Sequence, residues 1–238
     1  MKITNNDINK TISPNDDMWT YSPNMDNYLQ CGRMGIEVIN LALSLSGKLE
    51  SDVKTILDLP CGYGRVMRHL KPSFPNAIVT GCDISKDGVD FCARTFGSEP
   101  LYSSVHPQDI ALTKKYDLIW CGSLLTHLDE KYWDEFILFF NNVLADGGVF
   151  VFTTHGRAVV DEFIKYEKSV PTAIQALSGY RANGFGYHDY PNTKGYGNSL
   201  ASISWVTEKI LRYDNWKIVH CEEAGWCNRQ DLIVVKKK

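Results

Sequence analysis

No run of about 18 apolar residues occurs anywhere in this chain, so the sequence has no candidate for a membrane-crossing helix. An excess of positive charge is missing too. The 25 Lys and Arg face 28 Asp and Glu for a formal net charge of −3, and the basic residues are scattered except for Lys236 to Lys238. That leaves no electrostatic footprint for a nucleic-acid groove, and neither nucleic acid nor membrane is expected as a partner. The opening MKITNNDINKTISPNDD lacks the apolar stretch of a secretory signal, and a soluble, cytoplasmic protein is the expectation. Cysteine is present but not in a metal-binding pattern. Cys31, Cys61, Cys82, Cys92, Cys121, Cys221 and Cys227 make an odd count of seven with no CxxC pair. Most sit in apolar stretches, so they are expected to be reduced core residues, and no metal site is expected.

What is present is ample apolar material: 44% of 238 residues, enough for one α/β domain with an insertion. Apolar runs at Thr55–Leu59, Ile78–Cys82, Pro100–Ser103, Tyr116–Cys121 and Val149–Thr154 read as strands. Helical periods lie between them near Gly64–Leu70, after Ser85, and over Glu130–Leu144. Strands alternating with helices predict a doubly wound, mostly parallel sheet. Two final runs, Trp216–Cys221 and Leu232–Val235, are joined by too few residues for a helical crossover and predict an antiparallel hairpin. The division expected is an N-terminal arm and leading helix over 1–50, with the helix at Asn27–Leu45, then a catalytic domain over 51–238. The first 25 or so residues read as mobile. Between about 155 and 204 lies an insertion with a helix near Arg157–Tyr166, followed by the glycine- and aromatic-rich GYRANGFGYHDYPNTKGYGNS, which shows no lasting period. Such a segment, rich in aromatics, reads as a functional loop.

The chemistry concentrates in ILDLPCGYGRV, Ile56 to Val66. Asp58 lies within a buried strand, where a carboxylate is costly unless it receives hydrogen bonds from turn amides or a cationic ligand. Gly62 and Gly64 let backbone approach that ligand closely. Asp83 ends the second strand, nineteen residues past Gly64, placed to accept both hydroxyls of a ribose. Together these describe a nucleoside cofactor site.

The order of these residues resembles motif I and the following acidic residue of class I S-adenosylmethionine-dependent methyltransferases, with Pro60 where the family often has its first glycine. The resemblance implies a Rossmann-like seven-stranded sheet ending in an antiparallel hairpin and S-adenosyl-L-methionine as cofactor. Asp58, Pro60, Cys61, Gly62, Tyr63 and Gly64 would then hold the methionine portion, Asp83 the ribose, and Ile84 the flank of adenine. Asp109 matches the family's acid near the adenine amino group, and Cys121, Gly122 and Ser123 would line the sulfonium side. His127, in SLLTHL, stands where relatives often carry a histidine at the start of the next helix, and a structural, helix-orienting part is preferred for it over that of a base. Tyr28 and Arg33 of the leading helix are candidates to close over the cofactor's carboxylate.

On the acceptor side, His155 follows the fifth strand and is the first choice for a general base, with His188 as the second. Tyr187, Asp189 and Tyr190 are candidate substrate contacts, and Gln230 with Asp231 a weaker pair before the last strand. The Tyr-rich, weakly charged insertion suits a small-molecule or glycan hydroxyl (or amine) as acceptor. A nicotinamide dinucleotide-dependent oxidoreductase is the rival enzyme, but CGYGRVM puts Met67 where its third glycine belongs. A catalytically silent binding module on the same fold is the rival of another class.

Overall fold

Each strand-then-helix repeat read from the sequence is present in the computed structural model, which describes residues 8–112, 114–167 and 170–238. Strands β1 (Thr55–Asp58), β2 (Ile78–Asp83), β3 (Glu99–Tyr102), β4 (Tyr116–Cys121) and β5 (Leu144–Thr154) run parallel. In the closing hairpin, β8 (Trp216–Trp226) and β9 (Gln230–Lys237), the last strand inserts antiparallel beside β5. The sheet order is β3-β2-β1-β4-β5-β9-β8, so chain direction around the sheet reverses between β1 and β4. A crevice opens at such a switch point, outside the carboxyl ends of the strands.

Both sheet faces are covered, which is why the central strands are continuously apolar. On one face α2 (Met25–Leu45), α3 (Met67–Ser73) and α4 (Lys86–Phe96) bury Ile39, Leu43, Met67, Leu70 and Val89. On the other, α5 (Glu130–Val143) and α8 (Ile203–Leu211) bury Trp133, Phe136, Phe140, Trp205 and Ile210. Ser85 caps α4 as expected, its side chain accepting from Gly88 N–H. The helix α8 was not anticipated.

Three expectations are corrected. The segment from Ile8 onward is packed against the domain: Arg68 Nη1 donates to the carbonyls of Asn9 and Thr11 at 3.1 Å, and α1 (Asp17–Tyr21) is capped by the buried Asp16. Residues 1–7 of that expected arm lie outside the described residues. The second correction concerns the cysteines, because Cys31 of α2 and Cys227 of the β8–β9 turn form a disulfide. Cys61, Cys82, Cys92 and Cys121 are free and buried, as expected, while Cys221 is free and exposed.

The third correction is the insertion, which is regular structure: α6 (Arg157–Tyr166), α7 (Pro171–Asn183) and the antiparallel pair β6 (Phe185–Asp189) and β7 (Gly197–Ala201). Its glycines mark a close crossing. A Cβ on Gly186 would lie 1.7 Å from Ala176 O, and one on Gly179 would lie 2.8 Å from Phe185 O, so α7 rests directly on the β6 backbone. Phe185 stacks on Trp205 at 4.3 Å, which fastens the pair to the main core.

Candidate active site

The turn after β1 is held from both sides. Leu59 N–H donates to Trp120 O at 3.0 Å, the Leu59–Pro60 peptide is cis, and Cys61 N–H donates to Cys82 O at 2.9 Å. Gly62 and Gly64 sit at φ 49° and 81°, conformations that cost an L side chain strain. Their surroundings differ. A Cβ on Gly64 would meet the Phe96 ring at 2.4 Å, whereas one on Gly62 has nothing within 4 Å. The turn is packed against α4 on one side and open on the other.

Asp58 stands at the base of that open side, 1% exposed, and neither carboxylate oxygen has a partner among the described residues. Burial, then the charge of Asp83, pushes its pKa well above the usual carboxylate range. Asp83 accepts from Gly62 N–H and from Ser85 N–H, both at 2.8 Å, which ties its carboxylate to the turn. Burial raises its pKa and these backbone bonds oppose the rise. Beside it Ile84 is 62% exposed, an apolar side chain left uncovered at the carboxyl end of β2.

Across the crevice, β7 is laced to the loops after β4 and β5. Gly197 N–H donates to His127 O, Ser199 N–H to Thr126 O, and Ala201 N–H to His155 O, each at 2.9 Å. This brings His127, His155, Tyr190 and Tyr196 together: the His127 ring lies 5.1 Å from Tyr196, 5.8 Å from Tyr190 and 6.0 Å from His155. His155 is buried, its Nε2 accepts from Arg229 Nη1 at 3.2 Å, and burial with the Arg229 charge lowers its pKa to about 3. Arg229 is in turn ion-paired with Glu162 at 3.0 Å.

The methyltransferase domain family matches residues 57–150, the stretch from the end of β1 into β5 that carries the glycine turn and both acids. The similarity is to S-adenosylmethionine-dependent methyltransferases. The chain is 29% identical to a fatty-acid O-methyltransferase from Mycolicibacterium smegmatis, over 72% of this chain and 60% of that one. It is 25% identical to a malonyl-[acyl-carrier protein] O-methyltransferase from Halalkalibacterium halodurans, over 54% of this chain and 48% of that one. The matched region thus spans about half to three-fifths of these curated relatives. In fold it is similar to an S-adenosylmethionine-dependent methyltransferase from Clostridium acetobutylicum, with TM-score 0.58 and 15% identity over 93% of this chain and 95% of that one.

The expected residues separate by what their side chains do. Cys61 Sγ turns inward, contacting Gly62 O at 3.6 Å, and the Cys121 thiol is wholly buried, so each offers only backbone to the crevice. The Tyr63 ring packs toward Phe91 at 6.0 Å. Gly122 lies on the Trp120 indole, where a Cβ would come within 2.8 Å. Ser123, at φ 69°, donates its N–H to Thr153 Oγ1 and accepts from Gln230 Nε2 at 2.9 Å. Thr153 Oγ1 donates to Gln230 Oε1 at 2.6 Å, so Gln230 pins the β4 loop to β5. Asp109 is exposed on the 3-10 turn Pro107–Asp109, in the loop following β3. Asp231 accepts from Ala224 N–H at 2.9 Å and belongs to the hairpin.

Several candidates are reassigned by the geometry. Tyr187 and Asp189 lie on the face of β6 opposite His188: Tyr187 OH donates to Asp189 Oδ1 at 2.6 Å, Asp189 is exposed, and the Tyr187 ring packs on the core with Phe185. Strand alternation puts both away from the His127 group. His188 is buried with its Nδ1 2.9 Å from Asp189 O. His155, expected as the base, has its lone pair occupied by Arg229. Arg33 is a surface partner of Glu37, and Tyr28 is buried with its hydroxyl on Asp16 Oδ2 at 2.5 Å. Sequence reasoning missed Tyr196 and Asn198, and favoured a structural part for His127 over a base. The signal for Tyr196 was its place in the aromatic segment; that for His127 is a contact with Gly197 across 70 residues, which no local pattern carries.

Proposed function

We propose that this chain is an S-adenosylmethionine-dependent O-methyltransferase acting on a hydroxyl of a small-molecule or glycan acceptor. The observation that carries the reading is Asp58: a buried carboxylate whose two oxygens have no partner among the described residues, under the open face of Gly62 and beside Asp83. Such a group fits a ligand bearing an ammonium or several donors. Asp58 would face the cofactor's amino group, Asp83 its ribose hydroxyls, Ile84 and Asp109 its adenine. The backbones of Pro60, Cys61, Gly62, Tyr63 and Gly64, with those of Cys121, Gly122 and Ser123, would line the methionine and sulfonium. When bound, the cofactor supplies an electrophilic methyl group.

The protein's own part is to place the acceptor oxygen in line with that methyl and to exclude water. The wall facing the crevice consists of Tyr190, Tyr196 and His127, aromatic surface with few charges, which suits a neutral ring or sugar better than a polyanion. Two curated relatives named as O-methyltransferases support transfer to oxygen. Calorimetry with S-adenosylhomocysteine, then acceptor screening with S-adenosylmethionine against alcohols, phenols, sugars, amines and carboxylates, tests the reading. Binding followed by methyl ether formation is expected. Transfer only to nitrogen, or cofactor binding without transfer to any acceptor, would contradict it.

A further inference from the structure

Ser123 stands at φ 69° in the loop at the carboxyl end of β4, a left-handed conformation that a serine keeps when its surroundings impose it. Those surroundings are a closed ring of hydrogen bonds. Ser123 N–H donates to Thr153 Oγ1 at 2.8 Å, and Thr153 Oγ1 donates to Gln230 Oε1 at 2.6 Å. Gln230 Nε2 donates back to Ser123 Oγ at 2.9 Å, which closes the ring across the β4 loop, β5 and β9. Thr126 Oγ1 donates to Ser123 O at 2.8 Å, so the hydrogen that spans the 3.2 Å between the Ser123 and Thr126 hydroxyls belongs to Ser123. This fixes the sense of the Gln230 amide. Turned over, it would take the Ser123 hydrogen away from Thr126 and leave the Thr153 hydrogen without an acceptor. Thr153 is fully buried and Gln230 is 9% exposed, so neither group could turn to bulk water instead. The loop held by this ring has two ends. Gly122 and Ser123 form the end assigned above to the sulfonium side, and further along Thr126 O and His127 O accept from Ser199 N–H and Gly197 N–H of β7, each at 2.9 Å. A change at Ser123 therefore shifts the cofactor side of the crevice against the acceptor wall.

We propose that Gln230 is a positioning residue for methyl transfer: through Ser123 and Thr153 it holds the loop after β4 in the turn that sets the sulfonium side of the crevice against the acceptor wall. The proposal rests on the methyltransferase reading above. Gln230 acts through its neighbours, not on the reacting atoms. Its amide carries a donor and an acceptor on one carbon, which lets a neutral side chain bridge two hydroxyls of opposite demand; a carboxylate only accepts, and an aliphatic chain does neither. Without it, the Thr153 hydrogen and a Ser123 lone pair are left unpaired in a buried place, and Ser123 is free to return to an ordinary backbone conformation. Gln230 is itself well placed to be rigid. It opens β9, and the turn before it is fastened to α2 through Cys227. The anchoring acids Asp58 and Asp83 lie on β1 and β2, outside the ring, so cofactor affinity does not depend on it.

The test begins with the loop itself. NMR of the isotope-labelled native chain without ligand should show the HN–Hα coupling and Cβ shift of a left-handed residue at Ser123. In Gln230→Leu that signature should be lost while far-UV circular dichroism stays native. Thr153→Val, which removes a single hydroxyl, should lose it too, and it carries the same reading if the larger change unfolds the chain. Calorimetry with S-adenosylhomocysteine follows, then turnover of S-adenosylmethionine with phenols, alcohols and sugars as probe acceptors. Gln230→Leu should lower kcat about 100-fold, the scale of a misplacement of about 1 Å, with KM and S-adenosylhomocysteine affinity kept within about threefold. The double variant should fall no further than Gln230→Leu alone, because both residues act through one ring. A left-handed Ser123 in Gln230→Leu, an unaltered kcat, or additive losses in the double variant overturns the proposal. An S-adenosylhomocysteine affinity that falls as far as kcat overturns it as well, since Gln230 would then serve binding and not positioning. Failure of the native chain to bind S-adenosylhomocysteine sinks the methyltransferase reading instead, and the Ser123 signature still decides whether the ring holds the loop.

Discussion

Asp58 is expensive for the unliganded protein, since its charged form has no partner among the described residues and burial holds its pKa high. A cationic ligand group reverses that balance, so binding should favour the carboxylate and release a proton. Calorimetry of S-adenosylmethionine binding in buffers of different ionisation enthalpy should show this release, and Asp58→Asn should abolish it; equal release in the variant would place the proton elsewhere. Asp83→Ala should weaken cofactor affinity by about 1.5–3 kcal/mol, the range for hydrogen bonds to a charged group. An unchanged affinity in the folded variant would remove Asp83 from the site. The buried histidines give a separate pH signature. His155, lowered to about 3, and His69, lowered to about 4, stay neutral in the fold but bind protons near pH 6.5 when unfolded. The unfolded chain therefore binds more protons below pH 6.5, and stability falls as pH drops from there toward 4. Asp58 contributes in the opposite sense, holding its proton in the fold above 3.8, so its contribution falls as pH rises past that value. A urea midpoint that declines between pH 6.5 and 4, less steeply in His155→Gln, is expected; a flat one would contradict the neutral burial of these rings.

At the scale of elements, the β6–β7 hairpin does more than cover the crevice, because it is bonded to the loops after β4 and β5 and shares the core through Phe185. Gly186→Ala should destabilise the domain measurably, by about 1–3 kcal/mol or more, since its Cβ would fall 1.7 Å from Ala176 O. A thermal midpoint equal to that of the unaltered protein would mean the α7–β6 crossing is looser than described. The same element shows where sequence reading stops. The sheet was legible because Ile56, Val79, Leu118 and Val151 lie in apolar runs punctuated by Gly47, Gly62 and Gly147, which is local information. α7 was not: its exposed and buried residues follow no strong period, and Gly179 and Gly186 resemble loop residues until the helix they pack beside is known. The cofactor side of the site was legible for the same local reason, since Asp58, Gly62, Gly64 and Asp83 fall on one strand–turn–strand frame. The acceptor side depends on contacts between residues as distant as His127 and Gly197, and only the fold brings them together.

For the molecule as a whole, the disulfide is the main departure from expectation. It joins α2 to the β8–β9 turn across a sequence separation of 196, so it closes nearly the entire domain into one loop. Trp226, next to Cys227, donates its Nε1–H to Cys31 O at 3.1 Å and meets Trp120 at 5.3 Å, which places the bond at the edge of the crevice. In the chain-entropy model, closing so long a loop is worth about 5 kcal/mol. A dithiol reductant should lower the thermal midpoint of the native chain, and Cys31→Ser should reproduce the loss and remove the response; no response in the native chain would mean the bond adds no stability. Among the described residues no helix is long and apolar enough to cross a membrane, residues 57–150 match the methyltransferase domain family, and the fold is similar to that of a solved methyltransferase. The most direct test of the central claim is titration calorimetry of the full chain with S-adenosylhomocysteine, with NAD as the comparison. Saturable binding of the adenosyl compound, weakened in Asp83→Ala, with no heat from NAD, is the result expected; binding of NAD with no response to S-adenosylhomocysteine would contradict it.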